Sequence, residues 1–99
     1  MLYAIAGRDA LNSLPARMAA RAAHLARVSQ LRDQGHLVIA GPHPILDTSE
    51  PGDSGFSGSL IVAEFASLAD AEAWARADPY VAGGVWVAVD VRPFIQVMP

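Results

Sequence analysis

The sequence contains no cysteine, which excludes disulfides, thiol nucleophiles and cysteine-held metals. Charged residues are scarce, 17% against 53% hydrophobic, a balance far from that of a disordered chain. There is no basic surplus. The net charge is −3, which removes the electrostatic case for nucleic acid binding. Long apolar runs are missing too, so no segment is suited to span a membrane. The opening stretch MLYAIAG lacks the length and basic head of a secretory signal, and a cytoplasmic protein is the expectation. Gly7, Gly41, Gly55 and Gly58 are scattered and form no phosphate loop, and no G-x-S-x-G nucleophile elbow is present. His24, His36 and His43 have no ligand-like spacing, so neither a metal nor another cofactor is expected.

What remains is 99 residues, enough for one domain with one modest core. Leu2 to Gly7 reads as a first strand. Asn12 or Ser13 can cap a helix whose first turn takes Pro15, where a missing N–H costs nothing. The stretch Arg17 to Leu31, rich in alanine, leucine and arginine, continues that helix until Gly35 stops it. Leu37 to Ala40 is a second strand, closed by Gly41 and Pro42. Residues 43–58 are rich in turn formers and read as a long surface loop, either a binding lid or a tolerated insertion. Ser59 to Phe65 is a third strand. Ser67 and Asp70 form a capping pattern that opens a second helix over Ala69 to Ala77. Asp78-Pro79 breaks it, one further turn can follow, and Val85 to Val91 is a fourth strand.

The order β-α-β-β-α-β is the ferredoxin-like arrangement, an α+β fold with both helices on one face of an antiparallel sheet. Alternation places Val85, Val87, Val89 and Val91 on one face, opposite Trp86 and Ala88. Leu2, Ala4 and Ala6 oppose Tyr3 and Ile5, and Leu60 and Val62 oppose Ile61, Ala63 and Phe65. Both faces are apolar, yet two helices cover only one. A homodimer packed through the open sheet face is the simplest cover.

The long helix carries charge where burial is expected. At about 100° per residue, Leu14, Met18, Leu25 and Val28 share a narrow arc. Arg21 lies inside that arc, and Arg17 and His24 lie on its edge. A buried charge needs a partner. His24 is either a general acid/base or a core-edge histidine satisfied by a neighbour. Asp78 is a natural N-cap before Pro79, or a carboxylate that orients the His24 ring. Arg17 and Arg21 either receive a planar anion in bidentate fashion, or pair with acids and carry their heads to water. The structural reading is preferred for Arg17, and both stand for Arg21. His36 sits beyond the helix C-terminus, where it favours the dipole. His43 stands at the mouth of the loop, placed to line a pocket. Trp74 and Trp86 read as core and interface residues.

The segment Arg21-Ala22-Ala23-His24-Leu25-Ala26-Arg27 resembles the R-P-x-H-L pattern of the YciI-like (YCII-related domain) family, with Ala22 standing where the family often has proline. Further blocks agree in order: Ala40-Gly41-Pro42, Gly55-Phe56-Ser57-Gly58-Ser59, Ala77-Asp78-Pro79-Tyr80-Val81, Gly84-Val85 and Pro93-Phe94. The resemblance implies a dimeric α/β barrel and a histidine–aspartate pair at a cleft, here His24 and Asp78. It also implies relatives that include a dehydrochlorinase acting on a chlorinated hydroxyhydroquinone, and a fold shared with muconolactone isomerases. On this basis the expected function is cofactor-free proton transfer by His24, oriented by Asp78, on a small anionic or phenolic substrate. Arg21 would hold the anion, Gly41 and Pro42 would shape the wall, and Ser59 or Tyr80 would donate a hydrogen bond. The reaction class is lyase or isomerase. The alternatives are a non-catalytic small-molecule binding or accessory module and a cofactor-free oxygenase of the same barrel superfamily.

Overall fold

A computed structural model describes all residues, 1–99. The strands are β1 (Leu2–Asp9), β2 (Leu37–Pro44), β3 (Phe56–Glu64) and β4 (Trp86–Phe94). The helices are α1 (Leu14–Asp33), α2 (Leu68–Arg76) and α3 (Pro79–Ala82), and a 3₁₀ turn covers Gly52–Ser54. The sheet is four-stranded and antiparallel throughout, in the order β2-β3-β1-β4. This is the ferredoxin-like topology expected from the sequence.

Local chemistry explains the element ends. Pro15 sits in the first turn of α1. At the other end Gly35 adopts φ 76°, and the amides of Gly35 and His36 bond back to Arg32 and Leu31, which satisfies the last carbonyls. Ser67 caps α2 by accepting from the Asp70 amide at 3.1 Å. Asp78 caps α3 in the same way through the Tyr80 amide, at 2.9 Å.

Three expectations need correction. First, β2 does not close at Gly41-Pro42 but runs on to Pro44, and β3 begins at Phe56, with His43 opposite Gly58 and Pro44 opposite Phe56. As an edge strand β2 tolerates its prolines, whose missing N–H interrupts no second ladder. The connection therefore shrinks to residues 45–55. Second, the strict alternation in β4 fails. The β1–β4 register shifts at Arg8/Asp9, so that Ala88 faces Arg8 but Trp86 faces Asp9. The extra residue, Val87, is 59% exposed, whereas Trp86 joins the core on the same side as Val89 and Val91. Third, Met18 and Leu25 are exposed, and the buried face of α1 consists of Arg17, His24, Val28 and Leu31.

The core fills the space between sheet and helices. Ile5, Val28, Leu31, Ile61, Ala63, Ala75, Tyr80, Val85 and Trp86 form one cluster. Ala71 and Ala75, both fully buried, let α2 approach closely. The other face of the sheet, which no helix covers, carries Leu2, Ala4, Ala6, Ile39, Leu60 and Phe94 together with the charged Glu64, Asp90 and Arg92; Ile39 is 59% exposed, whereas Val62 is buried. No helix is long and apolar enough to cross a membrane.

Candidate active site

His24 lies on the buried face of α1, and Asp78 stands at the start of α3, which packs against α1. The structure brings them together. His24 Nδ1 is 2.9 and 2.8 Å from the two oxygens of Asp78. A carboxylate only accepts, so Nδ1 carries the proton and donates it. In the neutral ring the Nε2 lone pair is then free, with no hydrogen-bond partner in the protein. The two readings of Asp78 hold at once, because the carboxylate that caps α3 is the one that binds His24. Arg27 adds a third contact, at 3.3 Å to Oδ2, and its Nη2 bonds the Trp74 carbonyl at 2.8 Å. The Arg27 guanidinium also stacks on the Trp74 ring, 4.4 Å from its centroid. Asp78 is 1% exposed, so these partners replace water around a buried charge.

Aromatic rings fix the imidazole from two sides. Tyr80 stacks on His24 with centroids 4.0 Å apart and planes 12° from parallel. Trp86 meets both rings edge-on, at 5.6 Å from His24 and 5.5 Å from Tyr80. Burial pushes the Tyr80 phenol above its ordinary pKa, while the positive charges of Arg17 and Arg21 and a hydrogen bond from Arg17 oppose the shift. The phenol therefore stays protonated at neutral pH and is a donor.

A second buried network lies about two helical turns away along α1. Arg17, 4% exposed, forks onto Asp9 through Nε (2.8 Å) and Nη2 (2.9 Å). Nη2 also bonds Ser59 Oγ at 2.9 Å and the Gly58 carbonyl at 3.3 Å. Its guanidinium carbon lies 4.7 Å from the Tyr80 ring centroid and 5.0 Å from that of Phe56.

Both networks open on one cleft of about 240 Å³, lined by Arg17, Arg21, His24, Ser59 and Tyr80, with Ala40, Gly41 and Pro42 as one wall and Leu25, Val28 and Ile61 completing it. At roughly 30 Å³ per water, this holds about eight waters or one small ring. Larger depressions, of about 330 and 810 Å³, contain neither His24 nor Asp78. Every expected site residue except Asp78 lines the cleft, and Asp78 stands behind His24. Arg21 is exposed and makes no ion pair. His43 is exposed and lies outside the cleft, contrary to its expected place at a pocket. No three side chains of His, Cys, Asp or Glu come together as a metal site. Sequence reasoning missed Asp9, Arg27 and Phe56. The one signal was the position of Arg17 at the edge of the buried arc, which called for an acid but did not say which.

Comparison with known proteins identifies the family. The YCII-related domain model matches residues 1–95. The chain is 53% identical to Protein YciI of Escherichia coli O6:H1 over 97 residues, which cover 98% of this chain and 99% of the relative. It is 44% identical to an uncharacterized protein of Haemophilus influenzae at the same coverage. Among solved structures it is similar to the 5-chloro-2-hydroxyhydroquinone dehydrochlorinase of Burkholderia phenoliruptrix AC1100, in complex with 2,5-dihydroxybenzoquinone. That likeness has a TM-score of 0.84 and 27% identity, and covers 97% of this chain and 95% of the other. The chain belongs to the YCII-related domain family.

Proposed function

We propose that this protein is a cofactor-free enzyme in which His24 moves a proton to and from a carbon atom of a small anionic or phenolic ring substrate. The observation that carries the reading is the pairing of His24 Nδ1 with both oxygens of Asp78. It leaves Nε2 as the base at the cleft. Nε2 takes a proton from a ring carbon next to a carbonyl, and the bonding pair moves into an enolate. The enolate then either expels a leaving group from the neighbouring carbon, an elimination, or receives the proton back at another carbon, an isomerisation. Asp78 orients the ring and balances the imidazolium. Arg21 holds an anionic group at the mouth, Gly41 and Pro42 shape the wall, and Ser59 and Tyr80 donate hydrogen bonds. The dehydrochlorinase similarity favours the elimination class. We further propose that a second copy covers the open sheet face, giving a dimeric barrel.

The test uses 2,5-dihydroxybenzoquinone in deuterated water, followed by loss of its ring-hydrogen NMR signal. Cationic His24 delivers a deuteron to a ring carbon, and neutral His24 then removes the original proton. The wild-type protein accelerates this exchange and His24→Ala does not. Binding without accelerated exchange would sink the enzymatic reading and leave a binding module.

A further inference from the structure

The walls of the cleft offer donors and no carboxylate. Arg17, Arg21, His24, Ser59 and Tyr80 face it, while the two buried acids, Asp9 and Asp78, stand behind Arg17 and His24. Each acid uses its charge to hold a donor in place. The Asp9–Arg17 pair is the more telling, because a surface-type ion pair does not require burial of both partners, and here the side chains are only 5% and 1% exposed.

A count of donors shows what this pair leaves over. A guanidinium has five N–H groups. Nε and Nη2 of Arg17 make all its bonds to Asp9, Ser59 and Gly58. Nη1 takes part in none of them; it carries two N–H groups, so the further hydrogen bond from Arg17 to the Tyr80 phenol leaves at least one over. Ser59 Oγ accepts from Arg17, so its own hydroxyl proton is not spent on that contact, and Ser59 makes no other side-chain hydrogen bond. Two sets of donors, both on side chains at least nine-tenths buried, thus belong to residues that line the cleft. The bidentate grip of Asp9 and the flanking rings of Phe56 and Tyr80 fix the guanidinium plane, so no ordering is needed when a ligand arrives.

We propose that Arg17 Nη1 and the Ser59 hydroxyl form an oxyanion subsite, which binds the ionised oxygen of the substrate while His24 acts on a nearby carbon. The ligand class is a hydroxyquinone or another vinylogous acid, whose ring carbon beside the ionised oxygen takes a proton to give a keto tautomer and loses it again. This deepens the function proposed above and rests on it for the reaction, though not for the binding. In the reaction, the electron pair released when His24 takes the proton collects on the oxygen that these donors hold. Arg17 therefore serves the ligand as well as the fold. Asp9 is a positioning residue that acts through it.

The experiment titrates the protein with 2,5-dihydroxybenzoquinone, ionised at neutral pH as a vinylogous acid, and in parallel with its neutral dimethyl ether. Ser59→Ala, which leaves the Arg17–Asp9 pair intact, should weaken binding of the hydroxyquinone by about tenfold, the usual worth of a hydrogen bond to a charged group, and leave the ether unaffected. Arg17→Lys should weaken it further, provided circular dichroism shows it folded. In the wild type the Arg17 Nη1 proton resonance should move on saturation. His24→Ala should bind the hydroxyquinone while failing to exchange its ring protons, which separates this subsite from the assignment of the base. Unchanged binding by Ser59→Ala, equal losses for acid and ether, a stationary Nη1 resonance, or no wild-type binding at millimolar probe would each overturn the subsite.

Discussion

The indole of Trp86 occupies the space that a side chain on Gly7 would need. A β-carbon built on Gly7 falls 2.3 Å from Trp86 Cε2 and 2.5 Å from Cδ2. Across the same ring lie His24 and Tyr80, met edge-on. The indole Nε1 is buried without a hydrogen-bond partner, so packing alone holds the ring. Gly7→Ala must therefore displace Trp86, against which His24 and Tyr80 pack. The expected cost is about 1–3 kcal/mol, typical of overpacking. In a domain of this size that lowers Tm by roughly 4–8 °C per kcal/mol. Thermal melts check the cost and the His24 ring signals check the displacement. An unchanged melt would show that the ring has room to move.

Asp78 serves a helix end, a histidine and an arginine with one carboxylate. Asp78→Asn keeps the shape and removes the charge, so Arg27 loses its counter-charge. The amide can still accept from the Tyr80 amide or from Nδ1, but it no longer forces the proton onto Nδ1. Stability should fall by about 1–3 kcal/mol, the cost of a lost charged hydrogen bond. Exchange activity should fall by about a hundredfold or more, within the range general acid/base groups supply. Nitrogen NMR of His24 gives a readout independent of folding. The neutral wild-type ring should carry its proton on Nδ1 only, and the variant should show a mixture. Finding the proton on Nε2 in the wild type would remove the base from the mechanism.

Much of this was readable from the chain, and what was not has physical causes. The element order emerged because capping and stop signals such as Ser67, Asp78 and Gly35 act locally. The bulge opposite Asp9 did not, because it depends on pairing between β1 and β4 and leaves no mark on β4 alone. The buried face of α1 was displaced by about one residue. Apolar Met18 and Leu25 suggest one face, but the fold buries the neighbouring one, because Asp9 and Asp78 wait there for Arg17 and His24. A helix that carries a site buries polar groups, and hydrophobic periodicity then points past them. Arg21 was drawn into the arc by the same error. Its place at the cleft mouth follows from exposure rather than burial.

Alkaline titration isolates Tyr80. All seven basic side chains are arginine and there is no cysteine, so tyrosine is the side-chain type left to titrate in the alkaline range. Burial raises the folded-state pKa of Tyr80 above its ordinary value of 10.0. The folded state then holds this proton more tightly than the unfolded state does. The resulting stability is fully present below the unfolded value and is lost as pH rises through the folded one. Urea midpoints should accordingly decline above about pH 10 in the wild type and decline less in Tyr80→Phe. Parallel curves for the two proteins would show that Tyr80 does not carry the loss.

The uncovered face of the sheet makes a quantitative case for a second copy. Strands of eight residues at about 3.3 Å each, four abreast at about 4.8 Å, span roughly 26 by 19 Å. Two such faces in contact remove on the order of 1,000 Å² from water, the lower bound for a specific interface. Leu60 sits near the middle, opposite Ala6 on β1 and Gly41 on β2. A carboxylate there would be buried without a partner in the dimer but hydrated in the monomer, so Leu60→Asp penalises association alone. Light scattering should give a dimer for the wild type at micromolar concentration and a monomer for Leu60→Asp, with circular dichroism unchanged between them. The cleft lies on the helix-covered face, so hydroxyquinone binding should survive in the monomer. Loss of binding together with the dimer would mean that the second copy helps to build the site.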